Sequence, residues 1–375
     1  MSGDLCILTQ DPRFGGGALA QTEAFWAAAV QLGRRPEVAY ARRPPVEHDL
    51  SRSPLRGREV RVRLARVDAI GVPQAARRLT RVARDARSLW VVSTVAYYGS
   101  AAPLAGRPYA CWIGTTVDPE WEARRGGLSA LRRATAAASI GVLRRIESRV
   151  LRGATRLYAT SPATRANLAR VAGIDAEEVR LLRLPVDSER YVLPPEDEWQ
   201  SALRHPTIVF VGRADDPRKN VGLLLAAFEQ LRRQTPGLRL RLVGRPPAGT
   251  LPAGVTATGE VADVGAALRG ATVMVLPSLQ EGFGIVVAES LACGVPVVTT
   301  PCGGPEELVR ASRGGTVLSS FDAEELAGTL HRLIGDVDTL TRMRASGRSY
   351  VEQAHSPAVF RARLGEALQE LDGAT

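Results

Sequence analysis

Residues 277–289 read Pro-Ser-Leu-Gln-Glu-Gly-Phe-Gly-Ile-Val-Val-Ala-Glu and come directly after the apolar run Val273–Leu276. An apolar run, a turn flanked by glycines and a second apolar run predict a buried strand, a tight turn and a helix that starts near Gly284. The first turn of such a helix has N–H groups with no helix carbonyl to bond, and its dipole is positive at that end. We therefore expect an anion to bind at the N–H groups of residues 284–287.

Strands and helices alternate along the whole chain, which predicts parallel sheets covered on both faces. The expected strands are 5–9, 59–67, 89–94, 109–113, 157–161 and 179–184, then 207–211, 238–243, 255–258, 273–276, 295–299 and 316–318. The expected helices are 15–33, 73–87 and 128–152, then 220–234, 261–269, 284–293, a short helix from 305, 323–334 and 357–371. Residues 194–198, rich in proline and acidic side chains, are interpreted as a linker.

The length of 375 residues is too great for one ordinary core and predicts two domains. Because the strand and helix pattern restarts after the linker, we expect two tandem α/β domains. In doubly wound domains, ligands bind at the carboxyl ends of the strands. A cleft between the two domains is therefore the expected binding site.

Lys219 is the only lysine among the 49 basic residues of the chain. It lies in the segment Val211–Asn220, which follows an expected strand and also contains Arg213. A lysine ammonium is a compact, strongly hydrated point charge, whereas arginine binds a phosphate as a planar fork. We expect the two cations and the helix start near Gly284 to bind one diphosphate together, without a metal ion.

Two glutamates, Glu281 and Glu289, flank the start of the same expected helix. If the segment between them were wholly helical, they would lie about 12 Å apart. That separation is too large for the carboxylate pair of a glycosidase. We therefore expect Glu289 to bind the hydroxyls of a ribose and Glu281 to lie on or near a transferred sugar.

Motifs for several other classes of site are absent. No G-x-G-x-x-G follows the first strand and no G-x-x-x-x-G-K-[ST] occurs, which argues against a dehydrogenase and a P-loop enzyme. The four cysteines are widely spaced, without a Cys-x-x-Cys pair, so we expect reduced structural thiols and neither zinc nor a disulfide framework.

The pattern G-R-x5-K-N at residues 212–220, followed by E-G-F-G-x4-E-S-x-A-C-G-x-P-V from residue 281, resembles the retaining glycosyltransferases of family 4. The resemblance runs from the glycine loop at 15–17 to the final helix. It implies the GT-B architecture: an α/β fold with two facing Rossmann-like, doubly wound parallel-sheet domains and a cleft between them. The domains implied are an acceptor-side domain, 1–190, joined by the C-terminal helix 357–375, and a nucleotide-sugar-binding domain, 191–356.

Carried over by position, the resemblance implies that Arg213 and Lys219 bind the donor diphosphate, Glu289 the ribose and Glu281 the sugar. The remaining donor-binding positions it implies are Gly16 and Gly17 near the phosphates, Arg245 and Val261 at the nucleobase, and Gly212, Gly282, Phe283, Gly284, Ile285 and Val286 around sugar and phosphate. In retaining members the acceptor attacks from the face on which the diphosphate leaves, which requires positioned charge more than a protein nucleophile.

One position departs from the family. Many members have a histidine in the loop after the strand at 109–113, but here that loop reads Gly-Thr-Thr-Val-Asp-Pro-Glu-Trp over residues 114–121. Either Thr115, Thr116, Asp118 or Glu120 contacts the sugar or acceptor instead, or the acceptor chemistry differs. We favour Asp118 as a catalytic residue, together with Thr115, although Asp118-Pro119 is equally consistent with a plain turn.

Aromatic and basic side chains near the expected ligand are further candidates. Tyr97 and Tyr98 follow the strand at 89–94, so that they either stack on an acceptor sugar or pack within the domain. Arg13 and Phe14, next to the glycine loop, carry the same two alternatives.

Charge is unevenly distributed. Residues 1–190 contain 31 arginines against 18 acidic residues, whereas residues 191–375 are slightly acidic. This asymmetry indicates either an anionic partner or arginines on solvated helix faces. The basic helix at 128–152 either lies on a membrane or packs on its own sheet. With no basic N-terminal signal and no long apolar segment, we expect a cytoplasmic protein, with possible peripheral contact at the inner membrane face.

We therefore expect a retaining hexosyltransferase that uses a UDP- or GDP-linked sugar as donor substrate and has no cofactor. The expected acceptor is a hydroxyl of a glycan, a lipid-linked carrier or a secondary metabolite. One alternative is a sugar-nucleotide epimerase or hydrolase of the same fold. Another is a nucleic-acid-binding protein that uses the basic half, which lacks a recognisable recognition helix.

Overall fold

The computed structural model describes residues 4–42, 53–55, 57–61, 68–126 and 130–374. The chain divides into two compact units, of which the first contains Met1–Pro185 and Pro357–Thr375 and the second contains Val186–Ser356. The division thus falls at residue 185, where the sequence suggested 190, and the last helix is grouped with the first unit.

The first unit is built on a seven-stranded, all-parallel sheet with the order β3-β2-β1-β4-β5-β6-β7. Its strands are β1 Leu5–Leu8, β2 Pro36–Arg42, β3 Gly57–Arg61, β4 Ser88–Ser93, β5 Ala110–Ile113, β6 Arg156–Ala159 and β7 Val179–Leu181. Its helices are α1 Gly16–Gln31, α2 Asp68–Asp85, α3 Val117–Arg125, α4 Ala130–Arg152, α5 Pro162–Ala172 and α13 Pro357–Gly373. The central strands β1, β4 and β5 are buried along their whole length.

The second unit has a six-stranded parallel sheet with the order β10-β9-β8-β11-β12-β13. Its strands are β8 Thr207–Val211, β9 Arg239–Val243, β10 Val255–Gly259, β11 Val273–Leu276, β12 Val297–Thr299 and β13 Gly315–Val317. Its helices are α6 Glu196–Arg204, α7 Val221–Gln234, α8 Val264–Leu268, α9 Ile285–Ala292, α10 Gly304–Ser312, α11 Ala323–Ile334 and α12 Val337–Ala354. Both units are therefore doubly wound α/β domains, as the alternating pattern predicted.

Several elements differ from the expectation. Residues 194–198 are not a linker, because α6 begins at Glu196 with three acidic residues in its first turn and buries Trp199. Acidic side chains stabilise the positive end of a helix, so the same residues that suggested a linker start a helix. Strand β2 and helices α3, α5 and α12 were also missed, and residues 62–67 of one expected strand lie outside the described residues.

Helix α13 packs on the sheet of the first unit. The ring of Phe360 lies with its centroid 5.2 Å from that of Trp112 on β5. The Tyr158 hydroxyl on β6 donates to Glu370 at 3.4 Å, and Arg180 on β7 forms an ion pair with the same carboxylate. The last helix is thus held by both apolar and polar contacts.

The strand orders place a topological switch point in each sheet. After β1 the chain continues to β2 on one side, and β4 later adds on the other; in the second unit β8 is flanked in the same way by β9 and β11. Loops at the carboxyl ends of two such strands diverge and leave a crevice between them, which is where ligands bind in open α/β sheets. The loops after β8 and β11 contain Lys219 and Glu281, the residues singled out from the sequence.

Candidate functional site

The loops after β8 and β11 are joined at the switch point of the second unit. The backbone N–H of Leu279 donates to the carbonyl of Arg218 at 2.8 Å. In the loop after β8, Asp216 accepts from the N–H of Arg218 at 3.0 Å, and Asn220 has a left-handed backbone with φ of 49°. These local bonds form a short turn, Pro217–Lys219, that presents the lysine beside the other loop.

Lys219 and Glu281 form an ion pair between these loops. The same oxygen, Oε1 of Glu281, accepts from the Ser278 hydroxyl at 2.7 Å. Both charged side chains are partly buried, with exposed fractions of 19% for Lys219 and 17% for Glu281. The structure therefore brings together two residues that are 62 positions apart and adds Ser278, which the sequence motif contained but for which no function was predicted.

Glycines let neighbouring segments of this site approach each other closely. A Cβ on Gly244, where φ is 107°, would lie 2.2 Å from the carbonyl oxygen of Gly212. A Cβ on Gly284, where φ is 77°, would lie 2.5 Å from the ring of Pro305. Because such contacts are impossible for a side chain, glycine is required at both positions.

Helix α9 begins with Gly284 as its N-cap residue, and no side chain caps it. The N–H groups of Ile285 and Val286 in its first turn have no carbonyl within the helix to bond. The N–H of Val287 donates to the carbonyl of Gly284 at 2.8 Å, so its expected availability to an anion was wrong. Fewer N–H groups at the start of α9 are therefore available to an anion than the sequence suggested. This helix start lies close after Gly282 and Phe283 of the motif.

Glu289 accepts a hydrogen bond at Oε1 from the Tyr191 hydroxyl, at 2.6 Å. Burial raises the pKa of the Glu289 carboxyl, and the bond from Tyr191 opposes that shift. Glu289 is four positions after Ile285, the first residue of α9, which corresponds to a rise of about 6 Å along the helix. Side chains point toward the N-terminus of a helix, so the carboxylate lies on the same face as Ile285.

The arginines at the strand ends pair with acids. Arg213 lies 3.5 Å from Asp215, and Arg245 lies 3.7 Å from the other oxygen of the same carboxylate. Arg245 also lies 3.8 Å from Glu260, in the turn that precedes Val261. The expected nucleobase-side residues Arg245 and Val261 therefore share one edge of the sheet, while the diphosphate function of Arg213 stays a prediction.

In the first unit, the glycines at the start of α1 have free space around them. Gly16 has φ of 65°, and a Cβ on Gly16 or Gly17 would meet no atom within 4 Å. Arg13 is buried and donates to both oxygens of Asp11, at 2.8 and 2.6 Å, so it stabilises the loop before these glycines. The side chain of Phe14 is outside the described residues.

Asp118 lies in the first turn of α3, so the alternative of a plain turn is wrong. Its carboxylate forms ion pairs with Arg144 of α4 and, at 3.6 Å, with Arg170 of α5. Thr115 and Thr116 are buried, and Glu120 pairs with Arg124 at 2.8 Å. Asp118 thus joins three helices, and the predicted contact with sugar or acceptor stays a prediction.

Glu147 on α4 was not singled out from the sequence. Its two oxygens accept from the backbone N–H of Val117, at 3.2 and 3.1 Å, and it also bonds the backbone of Ala96. Burial raises the pKa of this carboxyl to about 7, opposed by these bonds and reinforced by Asp118 and Glu120. Glu147 therefore joins the segments that follow β4 and β5.

The tyrosines after β4 lie in a short 3-10 helix, Ala96–Gly99. The rings of Tyr97 and Tyr98 contact each other, with centroids 4.5 Å apart, and both are partly exposed. Stacking on an acceptor sugar thus stays a prediction.

Among the described residues, no three His, Cys, Asp or Glu side chains form a cluster that could bind a metal ion. The Asp-x-Asp sequence at 336–338 lies at the start of α12, where Asp336 caps the helix by accepting from the N–H of Thr339 at 2.9 Å. Within the same described part of the chain, no helix combines the length and the apolar character that crossing a membrane requires.

Known proteins resemble this chain in sequence and in structure. Residues 205–336 match the family described as glycosyl transferases group 1. A D-inositol 3-phosphate glycosyltransferase of Frankia alni is 31% identical over 226 residues, 53% of this chain and 55% of the relative. A GDP-mannose-dependent alpha-(1-6)-phosphatidylinositol monomannoside mannosyltransferase of Mycobacterium tuberculosis is 29% identical, over 74% of this chain and 76% of the relative. The crystal structure of Anabaena Alr3699/HepE with UDP and glucose superposes with a TM-score of 0.75 at 18% identity, covering 98% of this chain and 99% of that one.

Two doubly wound parallel-sheet units define the GT-B fold, which the Anabaena structure matches over almost its whole length. The chain resembles glycosyltransferases of the family 4 type, and the family match lies in its second unit, at residues 205–336. It spans about half the length of the inositol-phosphate glycosyltransferases that it matches.

Proposed function

We propose that the protein is a retaining hexosyltransferase that uses a UDP- or GDP-linked sugar. The observation that carries the proposal is the ion pair of Lys219 and Glu281 at the switch point, one residue before the Gly282–Gly284 turn that opens α9. A cation and helix N–H groups at one place suit the leaving diphosphate, and a carboxylate beside them suits the hydroxyls of the sugar.

In the proposed reaction the bond between the sugar C1 and the diphosphate oxygen breaks while the acceptor oxygen bonds to C1 on the same face. The acceptor proton passes to the departing diphosphate. Lys219 stabilises the charge that develops on that group, helped by Arg213 and the first turn of α9. These cations and N–H groups neutralise the diphosphate, so we propose that transfer needs no metal ion.

The relatives support both choices of donor base. The name of the mycobacterial relative specifies GDP-mannose, and the Anabaena protein was crystallised with UDP. For the acceptor we propose a hydroxyl on an anionic glycan, lipid-linked or small-molecule substrate, because residues 1–190 carry 31 arginines against 18 acidic residues. We also propose a cytoplasmic location with peripheral membrane contact through this basic half.

Donor binding is tested by thermal unfolding with UDP, GDP, ADP and TDP. A ligand that binds only the folded state raises the melting temperature, so one of the first two should give the largest increase. Product analysis then follows, with the matching sugar nucleotide alone and with candidate acceptors. Sugar transferred with retained anomeric configuration supports the proposal, whereas free sugar released at the same rate without an acceptor supports a hydrolase. A chain stabilised by none of the four nucleotides contradicts the proposal.

A further inference from the structure

Tyr191 contacts the proposed ribose-binding carboxylate although it lies 98 residues away from it in the sequence. The hydroxyl donates to Oε1 of Glu289 at 2.6 Å, and only 7% of Tyr191 is exposed. Among the described residues, Oε2 of Glu289 has no hydrogen-bond partner. One oxygen is therefore occupied by the protein and the other is available to a ligand.

The backbone of Tyr191 is fixed to the end of α9. The Arg348 guanidinium on α12 donates to the carbonyl of Tyr191, to that of Ala292 at 2.6 Å and to that of Ser188 at 3.1 Å. Because Ala292 is the last residue of α9, one side chain links the segment of Tyr191 to the helix that carries Glu289. A tyrosine has only two side-chain torsions, so the position of its hydroxyl is well defined.

The electrostatic surroundings explain why this bond matters. Burial raises the pKa of Glu289, whereas Tyr191 and the nearby Arg190 favour the ionised form. An ionised carboxylate only accepts hydrogen bonds, which is what a ribose hydroxyl requires. Three further charged side chains lie near this end of α9, where they interact electrostatically with Cys293: Arg269, Arg348 and Asp263.

We propose that Tyr191 is a positioning residue for nucleotide binding: it fixes one oxygen of Glu289 and directs the other to a ribose hydroxyl. This inference rests on the proposed function, because it takes the donor to be a nucleoside diphosphate sugar.

The test compares wild type with Tyr191→Phe, which removes one oxygen atom and keeps the ring. Dissociation constants are measured by calorimetry for UDP or GDP, whichever stabilises the wild type, and for the 2′- and 3′-deoxy analogues. We expect wild type to bind the ribonucleotide about tenfold more tightly than one of the analogues, the loss expected for a hydrogen bond to a charged group. Tyr191→Phe should lose most of this preference and should bind that analogue as wild type does.

The pH dependence gives a second measurement. Without the Tyr191 bond the pKa of Glu289 rises further. As the pH is lowered, Glu289 of Tyr191→Phe should therefore become protonated, and ribonucleotide binding should weaken, at a higher pH than in wild type. Tyr158→Phe is the matched control, because it also removes a hydroxyl that donates to a glutamate, in the first unit. It should leave both measurements unchanged.

If Tyr191→Phe unfolds, Arg348→Lys is used instead, because it keeps the Tyr191 hydroxyl but weakens the bonds that hold the Tyr191 backbone. This variant should lose part of the preference for the ribonucleotide. A folded Tyr191→Phe that keeps the full preference for ribose, with an unchanged pH profile, overturns the inference and leaves the proposed function intact. A wild-type chain that binds no nucleoside diphosphate overturns both.

Discussion

Glu147 accepts a hydrogen bond from the backbone N–H of Val117, 3.1 Å from Oε2, and so caps α3 from a neighbouring helix. Thr116, the N-cap residue of α3, makes no capping bond with its own side chain. A carboxylate at a helix N-terminus is stabilised by the free N–H groups and by the dipole. The start of α3, and with it Asp118, therefore depends on a residue some 30 positions away.

Stability should fall as the pH rises through the range in which Glu147 ionises. Its pKa is about 7 in the folded chain and 4.5 in the reference state, so between these values the folded chain binds the extra proton. The contribution is present below pH 4.5 and is lost as the pH rises through about 7, with a size on the order of 3 kcal/mol. Glu147→Gln removes it, so urea unfolding should show this variant gaining on wild type between pH 4 and pH 8.

Glu177→Gln serves as the control for this comparison, because Glu177 pairs with Arg165 on the surface and does not act on Glu147. It should follow the wild-type pH dependence closely. Equal gains for the two variants would show that the effect comes from general charge and not from the buried cap.

Lys219→Ala should lower kcat/KM with the sugar-nucleotide donor by about a hundredfold or more, because the leaving diphosphate loses its point charge. The fold should remain, since Lys219 lies on a loop and is partly exposed. Steady-state kinetics with a circular dichroism spectrum provide the check. Arg310→Ala, which removes an exposed cation of α10, should keep its activity. Unchanged turnover in Lys219→Ala would rule out the proposed role.

Gly244→Ala should destabilise the second unit by at least about 2 kcal/mol, because the new methyl group would overlap the carbonyl oxygen of Gly212. Gly222→Ala is the matched substitution: this glycine lies in α7, and a Cβ there would meet no atom within 4 Å. That change should be neutral or slightly stabilising. Denaturant unfolding distinguishes the two, and similar stability of both variants would contradict the close approach of the two glycines.

Phe360→Ala should cost about 3 to 5 kcal/mol of unfolding free energy, because it removes a buried ring packed on Trp112. Arg363→Ala, an exposed change on the same helix, should have little effect. Denaturant unfolding, followed by the fluorescence of the five tryptophans, measures this change in stability. A small effect of Phe360→Ala would mean that α13 contributes little to the first unit.

The sequence by itself determined the doubly wound fold, the motif loops and the choice of Lys219, Glu281 and Glu289, because glycine turns and apolar runs act locally. The expected separation of about 12 Å between the glutamates assumed a continuous helix, and α9 in fact begins at Ile285.

Only the tertiary structure decided which distant groups donate hydrogen bonds to the buried carboxylates. Tyr191 and Glu147 carry no periodic or motif signal, since each acts on a partner brought close by the strand order of its own sheet. Composition misassigned residues 194–198, because proline and acidic residues are typical both of linkers and of helix starts, and the burial of Trp199 selects the helix. Local chemistry thus sets the elements and their turns, whereas hydrogen bonds between distant residues depend on how those elements pack.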